Sequence, residues 1–257
     1  MNGFAVWIGI GATLGLSWVA FRAQQAEKSS PRQVRRLIDA GLAVLAGALI
    51  GSRIAYALVN WGYFSMHFVE IPQIWLGGLA WPGAVAGGLI ALAVFALWTE
   101  TSFAALADQL LPLVLVLTLS AWLADWQTGV AYGHISTAWW AAPSRDEWGE
   151  TARRFPVQPI AAALTLFSFG LVDQLSSRLR RRGQIASLAF TSLTAILLLT
   201  SFLRADPAPI WQSFRLDTWA GLVCLGLALS FCTAAFWPGA RKLPRLDSNR
   251  PSSPTNP

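Results

Sequence analysis

A chain of 257 residues with 54% hydrophobic and only 12% charged residues, and a mean hydropathy of +0.48, carries too little charge to cover a soluble globule of its size. This excludes a soluble enzyme or binding domain and places the chain in a membrane. The net charge of +6 forms no basic stripe on a soluble face for a nucleic acid to use, so the arginine excess reads as membrane topology and contact with anionic lipid.

Apolar runs of roughly 18 residues or more are long enough to cross a bilayer as helices. Seven occur in chain order: Gly3–Phe21, Leu37–Val59, Ile74–Trp98, Phe103–Leu123, Ile160–Leu179, Ile185–Leu203 and Trp219–Trp237. The first has neither a positive region ahead of it nor a small-residue cleavage site after it, so it is expected to stay as a helix. Arg22, Lys28, Arg32, Arg35 and Arg36 follow it, Arg178, Arg180, Arg181 and Arg182 sit between the fifth and sixth runs, and Arg241, Lys242, Arg245 and Arg250 follow the seventh. The long intervening connections hold Arg145, Arg153, Arg154, Arg204 and Arg215, diluted by Glu70, Asp125, Asp146, Glu147, Glu150, Asp206 and Asp217. Basic residues collect on the cytoplasmic side of short loops. The expected fold class is therefore all-α: a polytopic integral membrane protein of about seven transmembrane helices, with the N-terminus outside and the C-terminus cytoplasmic. Residues 1–240 form the transmembrane domain, with an outer loop region at about 124–157, and the Pro-, Ser- and Asn-rich tail 241–257 reads as disordered. Cys224 and Cys232 both fall in the last run, at a spacing that suggests neither a disulfide framework nor a metal site. No metal or cofactor is expected.

The third run is unusual. Its stretch Ile74–Gly88 holds five glycines and a proline, poor helix material at about 1 and 3 kcal/mol relative to alanine. Gly83 and Gly87, like Gly11 and Gly15 or Gly47 and Gly51, have the four-residue spacing of close helix contacts. Gly77, Gly78 and Pro82 ask for more. Broken backbone at membrane depth is tolerated where it is buried in protein or lines a cavity, so this segment is expected to enter irregularly and become regular helix from about Val85.

Arg53 lies about sixteen residues into the second run, roughly 24 Å along it at the helical rise, near the outer interface. It reads either as a functional group or as an arginine snorkelling to headgroups. Asp108 and Asp173 sit nearer the cytoplasmic ends of their runs and are expected to be structural partners or hydrated end residues. Asp125, His134, Arg153, Arg154 and Arg204 join Arg53 and Glu70 on the outer side, so any chemistry is expected there.

The stretch "GSRIAYALVNWGYFSMHFVEIPQIWLGGLAWPGAVAGG" resembles the signature region of bacterial prolipoprotein diacylglyceryl transferases. Gly51, Arg53, Tyr56, Tyr63, Phe64, Glu70, Ile71, Ile74, Trp75, Gly77, Gly78 and Gly83 fall where that pattern wants them. Weaker similarity continues through "TGVAYG", "FPVQ" and "FLRADP". The resemblance implies a multi-pass protein of the bacterial plasma membrane. It implies a reaction in which the diacylglyceryl group of phosphatidylglycerol is attached to the lipobox cysteine of a prolipoprotein, so the implied partners are phospholipid and prolipoprotein signal peptides. It further implies substrate-binding roles for Arg53, Glu70, Gly77, Gly78, Gly83, Tyr132, Gly133, Gln158 and Arg204. Asp125 and His134 are the candidates for the base that the cysteine thiol needs.

Departures from the pattern fall on its chemical positions. Pro82 stands for a histidine, Trp122 and Leu197 for arginines, Asp125 and Thr128 for asparagines, Val130 and Ser201 for glutamates, Phe155 for another histidine and Ala161 for a glutamate, and the first run contains no tyrosine. Two expectations therefore stand side by side: a divergent transferase, and a non-catalytic relative that binds phospholipid or lipoprotein. A transporter, suggested by the broken third run, lacks any inverted repeat to support it.

Overall fold

The computed structural model describes residues 3–25 and 30–237; the tail expected at 241–257 lies outside the described residues. Seven helices are long and apolar enough to cross a membrane: α1 (Gly3–Gln25), α2 (Pro31–Val59), α4 (Trp81–Trp98), α6 (Leu111–Thr128), α7 (Val157–Ser176), α8 (Gln184–Leu203) and α9 (Leu216–Phe236). Two short helices, α3 (Trp61–Phe64) and α5 (Phe103–Gln109), complete the helical set among the described residues, apart from single 3-10 turns at Phe68–Glu70 and Ile74–Leu76.

Helix starts follow the local chemistry. Before α2, the Ser30 hydroxyl accepts from the Gln33 amide at 3.3 Å while the Gln33 side chain accepts from the Ser30 amide at 3.0 Å, a reciprocal cap that satisfies two orphan donors. Pro31, Pro82 and Pro112 each fall in the first turn of a helix, where a missing N–H costs nothing. Two sequence expectations are corrected by that rule. The third span is regular from Trp81 rather than Val85, so Pro82 opens the helix instead of breaking it. The run Phe103–Leu123 is two helices, interrupted at Leu110 immediately before the proline-started α6.

The spans are arranged as a ring in the order α4, α2, α1, α6, α7, α8, α9, with α9 meeting α4 at a thin closing seam. Glycines set the tightest contacts. A Cβ on Gly51 would lie 2.3 Å from the Gly83 carbonyl oxygen, and one on Gly87 would lie 2.1 Å from that of Gly47, so α2 and α4 touch backbone to backbone. On the other side of α2, Gly11 and Gly15 of α1 face Ser120 and Leu113 of α6.

One end of the ring is closed by α5. Leu106 and Leu110 join Val19, Leu37, Ala40, Leu92, Ala96 and Leu113 in the main apolar core, and the Asp108 carboxylate accepts from the amides of Gly183 and Ala186 at 2.6 and 2.8 Å, capping α8. At that same end Arg22 meets Asp173 at 3.6 Å, both exposed. The other end carries the irregular structure. It holds segment 60–80, an antiparallel pair of β1 (Ala142–Arg145) with β2 (Thr151–Arg154), and the hairpin of β3 (Ile210–Trp211) with β4 (Phe214–Arg215). A bridge from Ile135 to Arg154 places the chain after α6 on the second edge of β2.

Candidate functional site

The loop-rich end gathers the predicted site residues into two groups. The first is built around Arg53, on the last turns of α2. Its side chain is buried, at 5% exposure, and Nε donates to the Ile71 carbonyl at 2.6 Å, Nη2 to Glu70 at 2.7 Å, and Nη1 to Gly78 at 3.1 Å and to Gly77. Four of a guanidinium's five N–H groups thus hold the irregular segment that precedes α4. Gly77 and Gly78 can present both carbonyls to one guanidinium because each has a positive φ, +88° and +76°, which glycine adopts without a Cβ penalty. A Cβ on Gly78 would also strike the Tyr56 ring at 2.4 Å. The rings of Phe64 and Tyr56 flank the cation at 5.3 and 5.8 Å. Glu70 turns its carboxylate away, accepting from the Tyr63 hydroxyl at 2.7 Å, and this bond raises the Tyr63 phenol above its ordinary pKa. His67 stacks on Tyr63 at 4.3 Å. Among the described residues no carboxylate pairs with Arg53, so its charge is held by dipoles and aromatic faces alone.

The second group surrounds Arg204 at the end of α8. Its Nε and Nη2 form a fork on Asp206 at 2.9 and 2.6 Å, and Nη1 lies 3.5 Å from Asp217. Arg215 reaches the same two carboxylates at 3.2 and 3.6 Å, so two cations and two anions form a neutral, mostly buried square. Burial alone would lower the Arg204 pKa; the hydrogen bonds and field of Asp206 outweigh it and leave the pKa raised. Burial likewise pushes the Asp206 carboxyl up, and the Arg204 fork with the field of Arg215 overrides it, holding the group below the usual carboxylate range. The segment after α6 is tied to this square: Gly133 forms a bridge with Arg204, and the Ala205 amide donates to the Tyr132 carbonyl at 2.8 Å. A Cβ on Gly133 would lie 2.4 Å from the Phe155 carbonyl.

The remaining predicted residues divide between support and availability. Gln158 is buried and its amide donates to the Val130 carbonyl at 2.8 Å. Tyr132 is buried with the Arg154 guanidinium over its ring at 4.4 Å, and Arg154 pairs with the buried Asp146 at 3.1 Å. Arg153 is exposed and donates to the Ala141 carbonyl at 3.0 Å. His134 is exposed; its backbone carbonyl pairs with the Phe155 amide at 2.9 Å. Asp125, on the last turn of α6, is partly buried and in electrostatic reach of Arg204 and Asp206, yet no donor among the described residues bonds its carboxylate. Gly83, as described, is a helix contact. No hydrogen bond or ion pair among the described residues joins the Arg53 group to the Arg204 group.

Trp122, Ala161, Ile196 and Ala131, with Leu197 packed against them, form a separate buried apolar cluster beneath this end. The indole N–H of Trp122 has no hydrogen-bond partner there. Sequence reasoning counted Asp146, Asp206, Arg215 and Asp217 only as loop charges. The alternation of sign through Arg204, Asp206, Arg215 and Asp217 was a usable signal for the square, although only the β3–β4 hairpin brings its halves together.

These features define a polytopic helical membrane protein with a polar, loop-built site at one end of its bundle. Residues 1–234 match the family model described as prolipoprotein diacylglyceryl transferase, and the chain belongs to that family. It is similar to the phosphatidylglycerol–prolipoprotein diacylglyceryl transferase of Thermosynechococcus vestitus, 32% identical over 46% of this chain and 41% of that protein. It is 35% identical to the enzyme of that name from Geobacillus kaustophilus over 44% of this chain and 40% of the relative. These two matches thus span less than half of the relatives' own length. The similarity to the protein of the same name from Lactococcus lactis subsp. cremoris is longer, 28% identity over 88% of this chain and 87% of the relative.

Proposed function

We propose that the chain acts at the outer face of the bacterial plasma membrane, on phosphatidylglycerol and a lipobox-bearing prolipoprotein, as a divergent diacylglyceryl transferase. The charge asymmetry of the loops supports this orientation: arginine-rich connections sit at the α5 end and carboxylate-diluted ones at the loop-rich end. The observation that carries the reading is Arg53. A buried cation that has no counter-ion among the described residues and keeps one guanidinium N–H uncommitted among them, held near the membrane interface, attracts an anionic headgroup, and its charge-assisted bonds suit a phosphate oxygen. Arg204, by contrast, is neutralised in its square and serves as support.

Transfer requires that the thiol lose its proton as sulfur bonds to the glyceryl carbon, while the C–O bond to phosphate breaks and glycerol phosphate leaves. Asp125 is the better of the two base candidates, being partly buried at the site end of α6 with a carboxylate that no donor among the described residues occupies. His134 lies exposed in the irregular segment after α6 and serves less well.

A second reading, a phospholipid- or lipoprotein-binding relative without transfer, is favoured by one specific observation. Trp122, Ala161 and Leu197, all at positions where the resemblance implies charged side chains, are packed into an apolar cluster. The two readings separate in one experiment. Proteoliposomes of phosphatidylglycerol are given a lipobox peptide and glycerol phosphate release is measured for the native protein and the Asp125→Ala and His134→Ala variants. The transferase reading expects release that Asp125→Ala reduces by about 10²-fold or more and His134→Ala leaves near native. Lipid retention without release would support the binding module.

A further inference from the structure

The β3–β4 hairpin, between α8 and α9, is an apolar projection on a rigid mount. Its cross-strand pairs are Trp211 with Phe214 and Ile210 with Arg215, and directly paired residues share a face of the ladder. One face therefore carries Arg215 into the charge square, where Nη1 also donates to the Asp206 carbonyl. The other presents two aromatic rings. Trp219, in the first turn of α9, donates its indole N–H to the Trp211 carbonyl at 3.0 Å and makes edge contacts with the Trp211 and Phe214 rings at 5.3 and 6.0 Å. Phe214 also meets Phe202 of α8 at 6.5 Å. The two-residue turn places Gln212 and Ser213 at φ +47° and +69°, the double left-handed geometry that matches the twist of a tight hairpin.

Despite these contacts the projection is open: Trp211 remains 56% exposed and Phe214 49%. A contiguous apolar patch of this kind marks an interaction surface. Its continuation identifies the partner. Phe202 lies one turn beyond Leu199 on the outward face of α8, at 54% and 59% exposure, and Trp219 lies one turn before Leu222 and Val223 on the outward face of α9. On membrane-spanning helices those outward faces meet lipid, and the hairpin's aromatic face is packed directly onto them. Tryptophan is also a residue that settles at the headgroup level.

We infer that the β3–β4 hairpin lies in the lipid–water interfacial layer, as an extension of the lipid-facing surface of α8 and α9, and fixes the height of the Arg204 charge square relative to the headgroups. The inference does not depend on whether the chain transfers diacylglyceryl.

The test is collision accessibility of a nitroxide label in phosphatidylglycerol/phosphatidylcholine vesicles. Trp211→Cys and Phe214→Cys are labelled separately in a Cys224→Ala, Cys232→Ala background, with Leu222→Cys as the lipid-facing reference and Glu147→Cys, in the exposed β1–β2 turn, as the aqueous one. The two hairpin positions guard against one substitution disturbing the turn. Oxygen relaxation should exceed that of the water-soluble nickel chelate at both hairpin positions, shifting their accessibility ratio toward the Leu222 value. A ratio equal to that of Glu147 would overturn the inference. So would a label open to the nickel chelate in lipid alone and protected only when a lipobox signal peptide is added, which would reassign the surface to peptide.

Discussion

Arg53→Ala should release the segment that precedes α4. The native side chain supplies four charged hydrogen bonds, to Ile71, Glu70, Gly77 and Gly78, and bonds of this kind contribute about 1.5–3 kcal/mol each when measured singly. They are not independent, because one guanidinium makes all four, and water can reach part of the freed backbone, so the net loss is about 2–5 kcal/mol rather than the sum. With a factor of ten for every 1.4 kcal/mol, local opening of residues 66–79 should rise roughly 30-fold to a few thousandfold. Hydrogen exchange resolved to short peptides reads this directly: the Ile71 and Gly77 amides, bonded to the Phe68 and Ile74 carbonyls, should lose protection while the middle of α2 keeps its own. Arg53→Lys should fall between, since a lysine offers three donors from one point and cannot reach around the fork. Exchange within about twofold of native in Arg53→Ala would refute the reasoning, because it would mean that the carbonyls are ordered without the guanidinium.

The same geometry makes other outcomes expected. Gly87→Ala places a methyl 2.1 Å from the Gly47 carbonyl oxygen, a backbone atom that cannot rotate aside; α2 and α4 must separate, at a cost of about 1–3 kcal/mol, seen as a lower thermal midpoint in detergent. Gly170→Ala, with nothing within 4 Å of the added carbon and alanine the better helix former by about 1 kcal/mol inside α7, should hold that midpoint at the native value or raise it slightly. Asp206→Asn leaves Arg204 and Arg215 sharing Asp217 and should destabilise by about 3–5 kcal/mol, read from the same midpoint. Because the Asp206 carboxyl is held below the usual range in the folded state, its contribution is fully present above about pH 4, the ordinary carboxylate value, and is lost as pH falls through the depressed one. The native midpoint should therefore drop on acidification below pH 4, and Asp206→Asn should flatten that part of the profile.

Much of the architecture can be read from the sequence because the bilayer imposes a length on each span and the arginines mark one side. The seven runs correspond to seven helices, and Gly47, Gly51, Gly83 and Gly87 do form a close seam. Breaks inside continuous apolar runs are harder to see. Leu110, Leu111 and Pro112 are all compatible with a single long span, and only the rule that proline favours a first turn points to α6 beginning at Leu111. The same rule, applied to Pro82, would have moved the start of α4 from Val85 to Trp81. The site is less readable for a different reason. Arg53 finds its partners among backbone carbonyls of the irregular segment before α4, which have no side-chain signature, and the Arg204 square is closed by a hairpin whose turn residues, Gln212 and Ser213, lack the usual Asn-Gly signal. The composition of the loops separates the arginine-rich end from the carboxylate-diluted one; it does not say which arginine is neutralised and which keeps its charge.

Transfer itself tests that distinction between the two arginines most directly. Purified protein in phosphatidylglycerol proteoliposomes is given a peptide with a single lipobox cysteine, and the peptide is weighed by mass spectrometry, with the Lactococcus relative as the active reference. The expected result is a gain of one diacylglyceryl unit on the cysteine, lost in Arg53→Ala and in Asp125→Ala. A peptide of unchanged mass beside a fully modified reference would contradict it and leave the loop-rich end as a binding site.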